Sequence, residues 1–334
     1  MNIRYLSSYP LFMDQGGGSV FLRQVNEVFR TNGHSVELLD FSRPEIDFEV
    51  LFVYGFTFQN PELLAYCFEK GVKVVLFPIF DRIKPLWQMQ ALKPLQKAPF
   101  LNLYNLRSQL LNNSNIIVAA NLAEKREIIS LFNAPEDRIS IIHHTLRDEF
   151  IEMAGKIGPE LFFEKYGIRD FIFCPAATIC KRKNQLSLLA ALKNTNYKIV
   201  LNNTHKIEAG LEQAFTDLAQ NNPNLLLLEG LSQEMMISCY KNAKISVSLS
   251  NSETAGYVNL EAGYCGSNLV VSSLPAFIEY LEDKAVFVDQ NNLESVKTGI
   301  EKALTINSNP EVFQNFVRKN YTLEKFYIRL LALL

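Results

Sequence analysis

Two glutamates eight residues apart carry the clearest chemistry in this sequence. Glu253 and Glu261 stand in the stretch SNSETAGYVNLEAG, residues 250–263. An ionised carboxylate is a strong hydrogen-bond acceptor, so each can hold a pair of vicinal sugar hydroxyls. Glu253 falls where an apolar run ends. Glu261 falls about two turns or fewer into a helix expected to start near Gly256 or Tyr257. Gly256, at that start, frees backbone N–H groups for a phosphate. Spacing alone fits two surface glutamates on one helix equally well. A second motif is Lys181-Arg182-Lys183 in CKRKNQ, residues 180–185. Three cations between a strand end and a helix start make an anion site; a solvated basic loop is the other reading. A third is Gln15-Gly16-Gly17-Gly18-Ser19. Consecutive glycines let backbone N–H groups approach an oxyanion, and the helix behind them adds the positive end of its dipole. A diphosphate suits such a loop, although the spacing is neither GxGxxG nor a Lys-bearing phosphate loop. A plain strand–helix turn also fits. Together the motifs point to a sugar carried on a diphosphate. No Asp-x-Asp pair stands out, so neither a metal nor a cofactor is expected. Asp81 is a candidate polar contact for the site, or a helix cap.

The elements that must position these residues are legible as alternating apolar runs and amphipathic stretches. Expected strands are Ile3–Leu6, Ser35–Leu39, Val50–Tyr54, Val72–Phe77, Ile116–Ala120 and Ile139–His143. A second group of six follows: Phe171–Cys174, Lys198–Asn202, Leu225–Leu228, Ile245–Leu249, Leu269–Ser272 and Ala285–Val288. Runs that are apolar on both faces belong to parallel sheets covered by helices. Helical periods lie between them, as in Val20–Thr31, Pro61–Lys70 and Leu186–Lys193. The βα alternation predicts an α/β fold of two doubly wound parallel-sheet domains facing a central cleft. The polar stretch Arg147–Gly167 sets the expected boundary near residue 155. The domains are then 1–154 and 155–318, with 319–334 a helix packing back on the first.

The whole chain bounds the class. It has 334 residues, 33 Lys and Arg against 35 Asp and Glu, and an apolar fraction of 48%. That length suits two domains, and a formal charge of -2 argues against a nucleic-acid partner. Cys67, Cys174, Cys180, Cys239 and Cys265 are scattered without a CxxC pair, which reads as buried small hydrophobes in a reducing compartment. Neither a signal peptide nor a run of about 18–20 apolar residues is present, so a cytoplasmic location is expected. One stretch, 82–123, contains no Asp or Glu. There Arg82, Lys84, Lys93, Lys97 and Arg107 interleave with Leu86, Trp87, Met89, Leu92 and Leu95. This is either an ordinary basic surface helix or a face for anionic lipid or an anionic acceptor. His143 and His144 are expected as interdomain packing or hinge residues, and His34 and His205 as surface or loop residues.

The pattern S-x-x-E-x-x-G-x-x-x-x-E-A resembles that of the retaining glycosyltransferases of family 4 (group 1), which have the GT-B fold. GGGSVFLRQVNEVFRTNGHSVELL is similar to that family's glycine loop and first helix. KRKNQLSLLAAL is similar to its K-N-Q helix opening, and LLEGLSQEMMISCYKNAKISVSLS to the segment before the glutamate pair. The resemblance implies roles. Glu261 holds the nucleotide ribose and Glu253 the donor sugar. Lys183, with Arg182, neutralises the donor diphosphate, and Gly17 and Gly18 approach it from the first domain. Backbone near Gly230 and Leu231 meets the base. Ala255 and Gly256 offer N–H groups, and Thr178 and Tyr257 complete the donor set. Three departures stand out. Thr178 occupies the place of a usual Arg, Phe80-Asp81 that of a usual His-Asp pair, and Ile142-His143-His144-Thr145 that of an I-P-N-G turn.

The implied activity is metal-independent, retaining transfer of a hexose-type sugar from a UDP- or GDP-linked donor. The acceptor is a glycan or a lipid-linked molecule in cell-surface polysaccharide or lipopolysaccharide assembly. Residues 82–107 offer a contact with anionic membrane at the inner face of the cytoplasmic membrane. A nucleotide-sugar epimerase of the same fold and a catalytically silent nucleotide-sugar binding protein are the alternatives.

Overall fold

The run Val50–Tyr54, VLFVY, is buried at all five positions. It can be a strand only where helices cover both faces, and that is what the computed structural model contains. The structure describes all residues other than 8–16, 44, 57–59, 81–83, 99, 101, 176, 177, 204 and 205. The chain divides into two units. The first comprises Met1–Thr145 with Leu323–Leu334, and the second Leu146–Thr322.

Among the described residues, the first unit holds β1 (Asn2–Ser7), β2 (Ser35–Leu38), β3 (Val50–Tyr54), β4 (Lys73–Phe77), β5 (Ile116–Ala119) and β6 (Ile139–Ile141). They form one sheet in the order β2-β1-β3-β4-β5-β6, parallel at every pairing. Its first helix, Gly17–Thr31, buries Phe21, Leu22, Val25, Val28 and Phe29, the stripe expected of a 3.6-residue period. The final helix, Leu323–Leu331, lies on it. The Phe326 ring meets Phe21 at 5.5 Å and the Tyr327 ring meets Phe29 at 4.9 Å. The Tyr327 hydroxyl is 2.9 Å from His34 Nε2, so His34, in the loop before β2, also tethers this helix. His144 is buried and stacks on Phe21 at 3.9 Å. Burial, then neighbouring His143, push its pKa down to about 3. His205 lies outside the described residues.

The second unit holds β7 (Phe171–Cys174), β8 (Thr178–Ile179), β9 (Ile199–Asn203), β10 (Lys206–Ile207), β11 (Leu225–Glu229), β12 (Ala243–Ser248), β13 (Asn268–Ser272) and β14 (Val286–Val288). Six make a parallel sheet in the order β11-β9-β7-β12-β13-β14, and β8 and β10 pair separately. Side chains alternate across this sheet with period two. Phe171, Phe173 and Val200 enter the core on one face; Ile172, Cys174, Ile199 and Leu201 enter the core on the other.

All twelve expected strands are present, within a residue or two at their ends. The two-residue β8 and β10 were not expected, because two residues cannot show a period. The boundary falls at Thr145/Leu146 rather than near 155. Phe150 and Ala154, on the helix Asp148–Lys156, pack into the second unit's core, so this stretch belongs to a domain and is no linker. The basic segment also differs from expectation. Met89 is buried, Leu86 and Leu95 pack against the core, and Arg107 is interior. Trp87 (67% exposed), Leu92 and Phe100 remain outside. Arg82 lies outside the described residues. Four cysteines are buried, and Cys180 is partly exposed.

Truncating the helix anchor tests the tether. Phe326→Ala removes a side chain that is 2% exposed and should cost about 3–5 kcal/mol. Urea denaturation checks the magnitude. Hydrogen exchange should show the loss first in the helices Gly17–Thr31 and Leu323–Leu331.

Candidate functional site

The second sheet's order creates the site. Numbered along the chain within this sheet, the strands run 3-2-1-4-5-6, and the direction of winding reverses between β7 and β12. In open α/β sheets, ligands bind outside the strand C-termini at such a switch point. Two loops leave the sheet there. One follows β7 and leads into the helix Gln185–Ala191; the other follows β12 and leads into the helix Tyr257–Tyr264. Hydrogen bonds from Asn251 to main-chain carbonyls lace them together. Asn251 N donates to Arg182 O at 2.8 Å, and Asn251 Nδ2 donates to Lys181 O at 2.8 Å. Gln185 braces the first loop from below. Its Nε2 donates to Thr178 O at 2.6 Å and its Oε1 accepts from Cys180 N at 3.2 Å.

The lacing brings Glu253, Lys183 and Arg182 into one cluster. Arg182 Nη1 donates to Glu253 Oε1 at 2.9 Å, Ser250 Oγ donates to the same oxygen at 3.2 Å, and Lys183 Nζ donates to it as well. The Glu253 side chain is 12% exposed. Burial raises its pKa, but the charges of Lys183 and then Arg182 outweigh burial and leave it below the ordinary value. Asn184 and Gly256 cap the two following helices with left-handed φ of 54° and 64°. At Gly256 a Cβ would lie 2.4 Å from the Phe277 ring, so glycine is required there by space as well as by φ.

Glu261 sits on the buried side of its helix with different partners. Arg147 Nη2 is 3.5 Å from its Oε1, and the Tyr240 hydroxyl donates to its Oε2 at 3.3 Å. Burial raises its pKa, and Arg147 offsets this only in part. Burial, first of all, holds the Tyr240 and Tyr257 phenols far above their usual range, so Tyr240 stays a donor. The two glutamates thus belong to separate pairs. Ala255 and Tyr257 flank Gly256 between them. Gly230, with φ 58°, and Leu231 follow β11, two strands from the switch point. Thr178 lies in β8, and its carbonyl is the group that engages Gln185. Gly17 and Gly18 open the first helix of the other unit. Asp81 and Gly16 lie outside the described residues.

Sequence reasoning missed Arg147, Tyr240, Ser250, Asn251 and Gln185. Arg147 and Tyr240 are 114 and 21 residues from Glu261, and only the fold joins them. Ser250 was inside the quoted motif; a hydroxyl three residues before a loop glutamate is the signal that could have found it. A cavity of about 450 Å³ lined by Gly266, Asn268, Lys284, Lys302 and Pro310 lies elsewhere. It opens by the start of β13, the opposite sheet edge from the ligand edge.

The lowered pKa of Glu253 gives a testable pH dependence. Its folded value lies below its unfolded value, so it adds stability above the ordinary carboxylate range. That contribution is lost as pH falls through the lowered value. Glu253→Gln should therefore cost about 1–3 kcal/mol at pH 7 and progressively less in acid. Glu261 has the opposite sign. Its raised value makes ionisation costly above the ordinary range, so Glu261→Gln should be neutral or stabilising at pH 7. Urea melts of both variants across pH check the two signs.

With the geometry in place, the chain's relatives are informative. Residues 160–320 match the model of the family "Glycosyl transferases group 1". An uncharacterized glycosyltransferase of Methanocaldococcus jannaschii is 25% identical over 201 residues, 57% of this chain and 50% of that protein. The serotype-specific mannosyltransferase WbdA of Escherichia coli is 24% identical over 230 residues, 63% of this chain and 28% of that protein. The chain thus spans half or less of these relatives' length. Among solved structures, sucrose-phosphate synthase from Thermosynechococcus elongatus aligns with a TM-score of 0.75 at 11% identity, covering 99% of this chain and 98% of that one. Anabaena HepE, solved in complex with UDP and glucose, aligns with a TM-score of 0.68 at 12% identity, covering 99% and 98%. At these identities the structures show the fold, GT-B. The family match spans residues 160–320, the segment that holds Lys183, Glu253 and Glu261.

Proposed function

We propose that the chain moves a hexose-type sugar from a UDP- or GDP-linked donor, with retention and without a metal, to a glycan or lipid-linked acceptor. The observation that carries this reading is the Lys183–Arg182–Glu253 cluster at the switch point of the second sheet. Departure of a nucleoside diphosphate needs its charge neutralised. Lys183 and Arg182 supply two cations already positioned beside a helix start. Glu253 holds them in the donor-free protein, and a bound diphosphate competes for them. The carboxylate then accepts from donor hydroxyls instead. Glu261, held by Arg147 and Tyr240, takes the ribose hydroxyls, and backbone near Gly230 and Leu231 takes the base. Ala255, Gly256 and Tyr257 line the donor between the glutamates.

The first unit takes the acceptor in this reading, with Gly17 and Gly18 turned to the diphosphate and Asp81 a polar contact of the site. The Escherichia coli relative is a mannosyltransferase by name, which favours polysaccharide or lipopolysaccharide assembly. HepE holds UDP, which favours a uridine donor over a guanosine one. Exposed Trp87, Phe100 and Lys84 suit an anionic membrane surface at the cytoplasmic face. Among the described residues, no helix is long and apolar enough to cross a membrane.

UDP or GDP should raise the melting temperature of the wild-type protein. The stabilisation should reach about 2.7 kcal/mol at a hundredfold excess over Kd, and Glu261→Ala should remove most of it. Lys183→Ala should slow transfer by about 10²–10³-fold, and EDTA should leave the rate unchanged. No response to either nucleotide at millimolar concentration would sink the reading. Binding without transfer or donor hydrolysis across an acceptor panel would leave a silent binding protein.

A further inference from the structure

Arg107, on the helix Leu103–Asn112, is the first unit's most anomalous charge. It is only 9% exposed. Its guanidinium carbon lies 5.3, 5.2 and 5.6 Å from the ring centres of Phe56, Phe80 and Phe132. Aromatic faces attract a cation, but they accept none of the five N–H bonds that a guanidinium donates from its edge. Nε is fully enclosed and has no acceptor. Among the described residues, no carboxylate pairs with Arg107, and the terminal nitrogens make no hydrogen bond. The sequence explains why no neighbour helps, since 82–123 contains no acid. The nearest acid in the chain, Glu124, is committed elsewhere. Its two oxygens accept from Phe80 N and Ala120 N, each at 2.6 Å.

A buried cation without an anion costs several kcal/mol. A second oddity adjoins it. Ile79, a β-branched residue, has φ 49°, a left-handed conformation that such residues rarely adopt. It precedes Phe80, whose N–H Glu124 pins and whose ring forms one side of the cage. Phe56 and Phe80 follow the C-terminal ends of β3 and β4, the ligand edge of a parallel sheet. Strain and a charge that no described carboxylate pairs thus meet at the edge where binding sites form.

We propose that Arg107 is an anion-binding residue of the first unit and takes a phosphate group of the acceptor through the edge of its guanidinium. The aromatic cage fixes the plane of the fork, and two parallel N–H bonds to phosphate oxygens match it. This rests on the reading of the first unit as the acceptor unit. It narrows the acceptor class to phosphate esters, either a soluble sugar phosphate or a lipid-linked phosphate.

The test is a set of thermal-shift and calorimetric titrations at constant ionic strength, with UDP saturating so that the second unit's cations are occupied. Inorganic phosphate, glucose 6-phosphate with glucose as control, and farnesyl phosphate in detergent are the probes. A saturable response to inorganic phosphate and to one ester is expected, with the responding ester identifying the source. Arg107→Met should abolish it, and Arg107→Lys, which keeps charge but loses the fork, should weaken it at least tenfold. The UDP response should be the same in all three proteins. Arg107→Met should also melt no lower than wild type, because it removes an unpaired buried charge and keeps the apolar packing. An equal phosphate response in Arg107→Met, no saturable response in wild type, or a Met variant that no longer folds would overturn the proposal. No response of the wild type to UDP or to GDP would instead sink the reading of the second unit.

Discussion

The second unit depends on where its sheet reverses. Strands β7 and β12 are neighbours in space but 72 residues apart at their starts, Phe171 and Ala243. Their loops, leaving side by side, must share one volume. The carbonyls of Lys181 and Arg182 accept from the side-chain amide and the backbone N–H of Asn251 across the gap, and this fixes the distance between two helix starts. Once it is fixed, a cation on one loop and a carboxylate on the other have little choice but to meet. The parallel ladder therefore does more than support the cluster. It sets which residues can be in it.

Glu253 and Glu261 show how burial and partners divide one residue type between two states. Both are largely enclosed, and burial alone raises both. Glu253 faces two cations and a hydroxyl on a single oxygen, and attraction wins. Glu261 faces one guanidinium at 3.5 Å and one neutral phenol, and burial wins. A weakly held acceptor is easily reassigned to incoming hydroxyls. A strongly held one must be displaced by an anion that takes its cations. The first description fits a ribose contact and the second a diphosphate site in waiting.

Much of this was readable from residues alone. Strands such as Val50–Tyr54 and Phe171–Cys174 announce themselves because double-faced burial demands uninterrupted apolar runs. Glu253 and Lys183 were legible because each sits beside a strand end, where the fold class says ligands go. Their meeting was legible only through a family pattern, since nothing local joins positions 183 and 253. The role of Arg147 was hidden for the same reason. The domain boundary was misread because Arg147–Gly167 is polar on one face. Phe150, Ala154 and Phe162 on the other face make it core. The tethering role of His34 was hidden because its partner, Tyr327, is 293 residues away.

Arg107 shows the deeper limit of composition. As a letter in an acid-free stretch it counted towards a basic surface. In the fold it is turned inward, the one such member among the described residues of that group, and the absence of acids changes meaning with it. On a surface, missing carboxylates leave a field that salt screens. In an interior they leave a charge that only aromatic faces moderate. The second unit closes its cations against Glu253 and Glu261, whereas the first unit holds Arg107 without any carboxylate among the described residues. Two units with the same architecture thus keep different electrostatic states. In the acceptor-phosphate proposal, an anion from outside the chain completes that interior charge.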